Sequence, residues 1–133
     1  MPPEKILKGR GIVEGTCRGE ALASRKPISF LGGVDPQTGR IIERGSDIQG
    51  ECVKGRILCF PHGHGSTVGS YVLYSLAARG LAPLALINER ADPVVVVGAV
   101  IANIPMVDQI DIGAINTGDI VEVDAYRGMV KIL

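Results

Sequence analysis

Hydrophobic positions along this chain change period at one place, and the rest of the sequence is best read outward from it. Residues 55–60 hold Ile57, Leu58, Cys59 and Phe60 in unbroken succession, the pattern of a strand buried on both faces. Beyond the glycines that follow, Val68, Tyr71, Val72, Leu76 and Arg79 recur at helical spacing, and Gly80 stands where a C′ glycine ends a helix. The apolar run at 84–87 predicts a second buried strand. Strand, helix and strand then make a right-handed crossover.

The flanking segments are read from the N-terminus onward. Residues 8–23 pass from Ile12 and Val13 into Gly15, Thr16, Arg18, Gly19 and Glu20, which predicts a bent strand or a hairpin with glycines at the bends. Pro27 introduces a short apolar strand at 28–31, and the turn formers packed into 32–39 predict a long shaped loop. Residues 40–43 resume an extended segment. Asp92 and Pro93 supply an N-cap and a proline at the first helical position. The run from Val94 to Ala102 is long enough for a second helix, although it is rich in β-branched residues. Residues 104–107 predict a short strand or turn. Residues 117–124 alternate, 125–128 turn and 129–133 return, a C-terminal hairpin. The expected fold class is α/β: a mostly β body carrying the crossover helix and a second helix.

Composition narrows the function more than the fold. With 133 residues, 46% of them hydrophobic, the chain is expected to form one domain over 1–133. A net charge of zero, two Phe, three Tyr and no Trp offer neither a basic surface nor a stacking platform, so no nucleic acid is expected as a partner. No apolar run spans a bilayer and Met1-Pro2-Pro3-Glu4 does not open like a signal peptide, so no membrane partner and a cytoplasmic location are expected. Cys17, Cys52 and Cys59 are odd in number and lack CxxC spacing, which argues against a disulfide framework. They hold an iron–sulfur cluster only if the fold gathers them. Cys59, at the end of an apolar strand, reads as a small buried hydrophobe.

The candidate chemistry lies in the loop between the first strand and the helix, Phe60-Pro61-His62-Gly63-His64-Gly65-Ser66-Thr67-Val68-Gly69-Ser70. Glycines let backbone N–H groups approach a ligand, and a helix N-terminus presents unpaired donors and a positive dipole end. Ser66 or Thr67 is expected at the N-cap, its hydroxyl facing whatever binds. A Walker A loop is excluded, because no lysine lies between Lys54 and Lys131. Gly63, Gly65 and Gly69 with Glu89 imitate a dinucleotide fingerprint, but a Rossmann domain needs several crossovers and this chain supplies one clear unit. His62 and His64 have no third ligand nearby in sequence. His62 reads as a loop hydrogen-bonder, while His64 beside Gly65 and Ser66 is a candidate for contact with a ligand or partner.

Three stretches together carry a family resemblance: Gly32-Gly33-Val34-Asp35-Pro36-x-Thr38-Gly39, Gly55-Arg56-Ile57-Leu58, and residues 65–73 from Gly65-Ser66-Thr67-Val68-Gly69-Ser70 to Leu73. In this order they resemble the small subunit of aconitase X, and the likeness continues through Val97-Gly98-Ala99, Ile104-Pro105 and Thr117-Gly118-Asp119. The resemblance implies a swivelling β/β/α domain that pairs with a large subunit as a heterodimer. It implies a [4Fe-4S] cluster held by the large subunit's own cysteines, whose open iron acts as a Lewis acid on the departing hydroxyl. The archaeal branch that it is most similar to dehydrates (R)-5-phosphomevalonate to trans-anhydromevalonate 5-phosphate, a small anionic phosphorylated hydroxy acid substrate. Ser66 matches the serine taken as proton-abstracting base, with Gly63, His64, Gly65, Thr67, Gly69 and Ser70 as the substrate-binding set. The loop's donors suit a substrate carboxylate and a substrate phosphate equally. Another branch of the family dehydrates cis-3-hydroxyproline. The C-terminal segment, from Ile104-Pro105-Met106-Val107 to Val130, is also similar to phosphohistidine swivelling domains, which carry a phosphoryl group on a histidine just after a serine; no Ser-His pair exists here.

Overall fold

A computed structural model describes residues 4–133; the Met1-Pro2-Pro3 opening, read above as no signal peptide, lies outside them. The strands are β1 (Lys5–Lys8), β2 (Arg10–Val13), β3 (Thr16–Ala23), β4 (Ile57–Cys59), β5 (Ala85–Ile87), β6 (Met106–Asp108), β7 (Ile120–Asp124) and β8 (Met129–Ile132). A short turn segment, α1 (Phe30–Gly33), in which Leu31 and Gly32 leave helical backbone angles, precedes two ten-residue helices, α2 (Gly69–Ala78) and α3 (Pro93–Ala102). The strands form one sheet in the order β1-β8-β7-β3-β4-β5-β6-β2.

Alternation within the central strands builds a three-layer molecule. Leu22, Leu58, Leu86 and Met106 point to a core shared with Val72, Leu73, Leu76, Val95 and Ala99 of the helices. Their neighbours Ala21, Ile57, Cys59, Ala85, Ile87 and Val107 point to the opposite core, with Val121, Val123 and Val130. Each central strand is covered on both faces, which is why it reads as an uninterrupted apolar run. The parallel pairs β3–β4, β4–β5 and β5–β6 carry the helices, and α2 makes the expected crossover from β4 to β5. The antiparallel β1-β8-β7 part folds over the back, giving a β/β/α arrangement.

β3 joins the antiparallel and parallel halves of the sheet. Thr16 to Glu20 pair antiparallel with β7, and Ala21 to Ala23 pair parallel with β4. Residues 8–23 are therefore a bent run and contain no hairpin, because β2 pairs with β6 and leaves β3 to β7. The two ends of the strand order meet at Gly9, between β1 and β2, whose N–H donates to the Gly128 carbonyl at 2.7 Å. A Cβ on Gly11 would overlap the Ala125 carbonyl oxygen, and one on Gly128 would lie 2.6 Å from the Gly9 oxygen. Across this seam the buried Asp108 takes a bidentate pair from Arg10, at 3.0 and 2.9 Å, and the Ala91 N–H at 3.0 Å. The hydrogen bond to Asp108, then its charge, hold the Arg10 pKa above its usual value.

Two local expectations are corrected. Residues 28–31 form no strand beyond a bridge from Ile28 to Gly63. Phe30 turns inward instead, edge-on to Phe60 with ring centroids 5.9 Å apart, and that packing outweighs strand propensity. In α2 the buried face is Val72, Leu73 and Leu76, whereas Val68 and Tyr71 are exposed. The readings of the second helix and of the C-terminal hairpin hold. Asp92 caps α3 through Val95 N–H at 3.3 Å, Asn103 ends it in a left-handed conformation, and the C-terminal hairpin is β7–β8.

Candidate functional site

Because β3, β4, β5 and β6 run parallel, their carboxyl ends open at one edge of the sheet, where open α/β sheets bind ligands. The loop after β4 is fixed there from both sides. Asn88 Nδ2 donates to the Phe60 carbonyl at 2.9 Å, and the Glu89 and Arg90 N–H groups donate to the Pro61 carbonyl at 2.9 and 3.1 Å. On the other flank, Ile28 N–H donates to the His62 carbonyl and His64 N–H donates to the Ile28 carbonyl. His62 Nδ1–H donates to the Gly63 carbonyl at 2.8 Å, the local role expected of it. Gly63 is buried, and a Cβ there would run into Val95 of α3.

From His64 onward the loop turns outward. His64 Nε2 stands 3.1 Å from Glu43 Oε2, and Glu43 Oε1 accepts the Ser29 N–H at 2.9 Å. Gly65 has φ +93°, and a Cβ there would collide with Ser29 Oγ, so the loop's tip lies directly on the 29–33 segment. The two glycine-rich stretches at 32–39 and 63–69 are thus neighbours through Glu43, Ser29 and Phe30. No local sequence pattern marks Glu43 or Ser29, since their partners lie more than one element away.

Ser66 begins a turn ahead of the helix and does not occupy the N-cap. The N-cap is Val68, whose side chain makes no capping bond. Ser66 carbonyl accepts the Gly69 N–H at 3.0 Å and Ser66 Oγ accepts the Val68 N–H at 3.2 Å. The tight turn closes first, so the hydroxyl meets the amide two residues on. His64, Gly65, Ser66 and Thr67 are exposed, whereas Gly69 and Ser70 are buried. Ser70 Oγ donates to the Thr67 carbonyl at 3.2 Å, so its hydroxyl holds the loop's shape. Among the described residues, no backbone carbonyl engages the N–H groups of Gly65, Ser66 or Thr67.

A cavity of about 410 Å³ adjoins this loop, with His64, Glu43, Lys26 and Arg44 in its lining. A larger one of about 500 Å³ lies on the outer face of β3, β7 and β8. There Arg18 pairs with Glu122 at 3.6 Å and Arg127 with Asp124 at 3.8 Å. Those charges satisfy one another, as on any solvated sheet face, and they belong to the layer turned away from the helices.

The cysteines do not fit a cluster. Burial pushes the Cys17 thiol up to about 11 and the Cys59 thiol up to about 12, which opposes the thiolate that metals require. Among the described residues no three His, Cys, Asp or Glu side chains gather to hold a metal ion. No helix is long and apolar enough to cross a membrane.

A β/β/α domain with a serine-bearing glycine loop at the carboxyl ends of its parallel strands defines a swivelling domain of the aconitase kind. Residues 6–132 match the family model described as the aconitase X swivel domain, and the chain belongs to that family. It is 58% identical to the phosphomevalonate dehydratase small subunit of Pyrococcus furiosus, over 96% of this chain and 95% of that one. It is 52% identical to the protein of that name from Methanocaldococcus jannaschii, over 96% and 97%. The crystal structure of Thermococcus kodakaraensis aconitase X in its holo-form superposes with a TM-score of 0.96 at 53% identity, covering 97% of this chain and 98% of that one.

Proposed function

We propose that this chain is the small subunit of a heterodimeric hydro-lyase that dehydrates (R)-5-phosphomevalonate to trans-anhydromevalonate 5-phosphate, with Ser66 as its base. The observation that carries the mechanism is the setting of Ser66 Oγ: exposed at the carboxyl end of β4, and accepting one N–H from Val68. Dehydration removes a proton and a hydroxyl from adjacent carbons. The proton goes to Ser66 Oγ, the C–H electron pair becomes the new C=C bond, and the hydroxyl departs with its own pair. A serine is a weak base unless its alkoxide is stabilised. The Val68 N–H, the unengaged amides around it and the positive end of α2 favour that charge where it is needed. His64, Gly65 and Thr67 face the substrate, while Gly63, Gly69 and Ser70 hold the loop in the shape that presents them.

The family's [4Fe-4S] cluster we assign to the large subunit, since the thiols of this chain do not suit one. The apolar surface supports such a partner. Tyr71 and Tyr74 on α2 and Val97, Val100 and Ile101 on α3 are exposed on two helices that pack side by side, and apolar groups gathered on one face, unlike single exposed ones, mark an interaction surface. A metabolic heterodimer of this kind belongs in the cytoplasm. No observation favours a phosphohistidine carrier: His62 is bonded to its own loop, His64 faces Glu43, and neither follows a serine at a helix start.

Co-expression with the large subunit tests the reading. A stable complex that dehydrates phosphomevalonate, beside an isolated chain with no activity, is the expected result. Faster turnover of cis-3-hydroxyproline would move the assignment to the other branch. Separate elution, with the large subunit active alone, would overturn it.

A further inference from the structure

The cavity beside the loop holds a cluster of cations that the mechanism has not used. Its lining includes Lys26, Pro27, Glu43, Arg44, Ser46 and His64. Glu43, the acid among them, is already engaged by the Ser29 N–H and by His64. Lys26 Nζ donates to the Gly45 carbonyl at 2.8 Å, which leaves two of its protons free. Arg44 is exposed, and among the described residues its guanidinium is in no ion pair. Arg10, Arg25 and Arg56 differ, each being held by two or more side-chain bonds. A guanidinium and an ammonium with spare donors, facing a cavity whose carboxylate is occupied, make a site for a doubly charged oxyanion.

The position relative to Ser66 gives that site a role. His64 lines the cavity and stands two residues before Ser66, a separation of at most about 7 Å along an extended chain. In the proposed substrate, five bonds separate the carbon that loses its proton from the phosphorus, an extended reach of roughly 6–7 Å at ordinary bond lengths. A phosphate seated in the cavity therefore leaves the reacting carbon within reach of Ser66 Oγ.

We propose that this cavity binds the terminal phosphate of the substrate, with Arg44 and Lys26 as its cations and His64, held by Glu43, as the lining residue nearest Ser66. The assignment rests on reading Ser66 as the base of a dehydratase acting on a phosphorylated hydroxy acid. It makes Arg44 and Lys26 the residues that distinguish such a substrate from an unphosphorylated one.

The test uses the assembled two-subunit enzyme carrying Arg44→Ala, Lys26→Ala or both, with Arg127→Ala on the outer sheet face as control. Complex formation is checked for each. Hydrogen bonds to charged groups are strong enough that each single variant should raise KM about tenfold or more while kcat falls far less. Arg44→Lys should recover part of the loss. Inorganic phosphate should inhibit the parent competitively and the variants weakly, and its binding by calorimetry should weaken in parallel. KM and phosphate affinity within twofold of the parent in the double variant would overturn the cavity assignment while leaving the dehydratase reading intact. A parent complex that binds inorganic phosphate through Arg44 yet turns over no phosphomevalonate would instead overturn the function and keep the anion site.

Discussion

The seam at Gly9, Gly11 and Gly128 and the loop at 63–69 are both rich in glycine, but glycine meets different demands in the two. At the seam a missing side chain lets backbones touch: a Cβ on Gly11 would occupy the place of the Ala125 carbonyl oxygen. Nothing there is presented to solvent for chemistry. In the loop, Gly65 has a positive φ, and the atom a Cβ would meet is the movable hydroxyl of Ser29. There the glycine keeps a turn sharp and leaves amides around Ser66 uncovered. One cluster closes the sheet and the other leaves the Ser66 hydroxyl exposed, so on the proposed function substitutions should separate stability from activity.

Ser66→Ala should have the largest effect, and it should fall on activity alone. Losing a positioned general base lowers turnover by about two to four orders of magnitude. The lost bond to Val68 N–H resembles a lost cap, about 1 kcal/mol or less, so melting and complex formation should barely change. Thr67→Val and Ser70→Ala are the controls; Ser70→Ala should cost about 1 kcal/mol of stability, from its bond to Thr67, and little turnover. Turnover above about a tenth of wild type in Ser66→Ala would remove it as the base.

Gly11→Ala should show the converse. The obstacle is a backbone oxygen that cannot rotate away, so overpacking of about 1–3 kcal/mol or more is expected. At this chain length that lowers the melting midpoint by roughly 3–5 °C per kcal/mol, with turnover per folded complex unchanged. Gly65→Ala meets only a flexible hydroxyl, but its φ of +93° strains any side chain by about 1–3 kcal/mol, so it should melt below wild type and, unlike Gly11→Ala, also lose turnover as the loop shifts. If the two variants keep the same turnover per folded complex, the contrast between seam and loop is wrong.

Asp108→Ala probes the polar half of the seam. It leaves the Ala91 N–H without its acceptor, at a cost of about 1–3 kcal/mol. Urea midpoints should fall accordingly. Removing Arg10 as well should add little, because its side chain is largely solvated once Asp108 is gone. Full additivity of the two substitutions would mean that the pair is uncoupled.

The sequence shows the seam and the loop unequally, for physical reasons. Central strands announce themselves because Ile57, Leu58 and Cys59 each need an apolar side chain for one core or the other. The strand, glycine loop and helix order likewise points to the hydroxyls of Ser66 and Thr67, since local geometry builds that turn, while the choice of Ser66 between them comes from the family resemblance. Residues 28–31 mislead because Phe30 is buried by a ring 30 residues away and not by a neighbouring strand. Val68 and Tyr71 mislead because a helix with an uncovered apolar face keeps helical spacing on its exposed side too. Arg10 with Asp108, and His64 with Glu43, are pairs made only by folding. Lys26 and Arg44 reach the cavity for the same reason, and no spacing rule connects them to the serine.

The smallest effect concerns Cys59, which ends β4 immediately before the loop and is buried in the core on the face turned away from the helices. Burial is the main cause raising its thiol from 9.0 to about 12, with Asp119 adding slightly and Arg25 opposing. Between those values the unfolded chain has released the thiol proton and the folded chain still holds it. Raising pH therefore draws the equilibrium toward unfolding: the stabilisation is complete below pH 9 and is lost as pH climbs toward 12. One pH unit above 9 corresponds to about 1.4 kcal/mol. The half-buried Cys17, raised to about 11, adds a weaker trend of the same sign. Denaturant midpoints taken from pH 8 to 10 should fall in the parent and fall less steeply in Cys59→Ala, while turnover at neutral pH stays the same in both. Equal slopes would show that the thiol is not held protonated by burial. Unequal slopes with a loss of neutral-pH turnover would tie Cys59 to the loop's chemistry, which Ser66 is expected to perform without it.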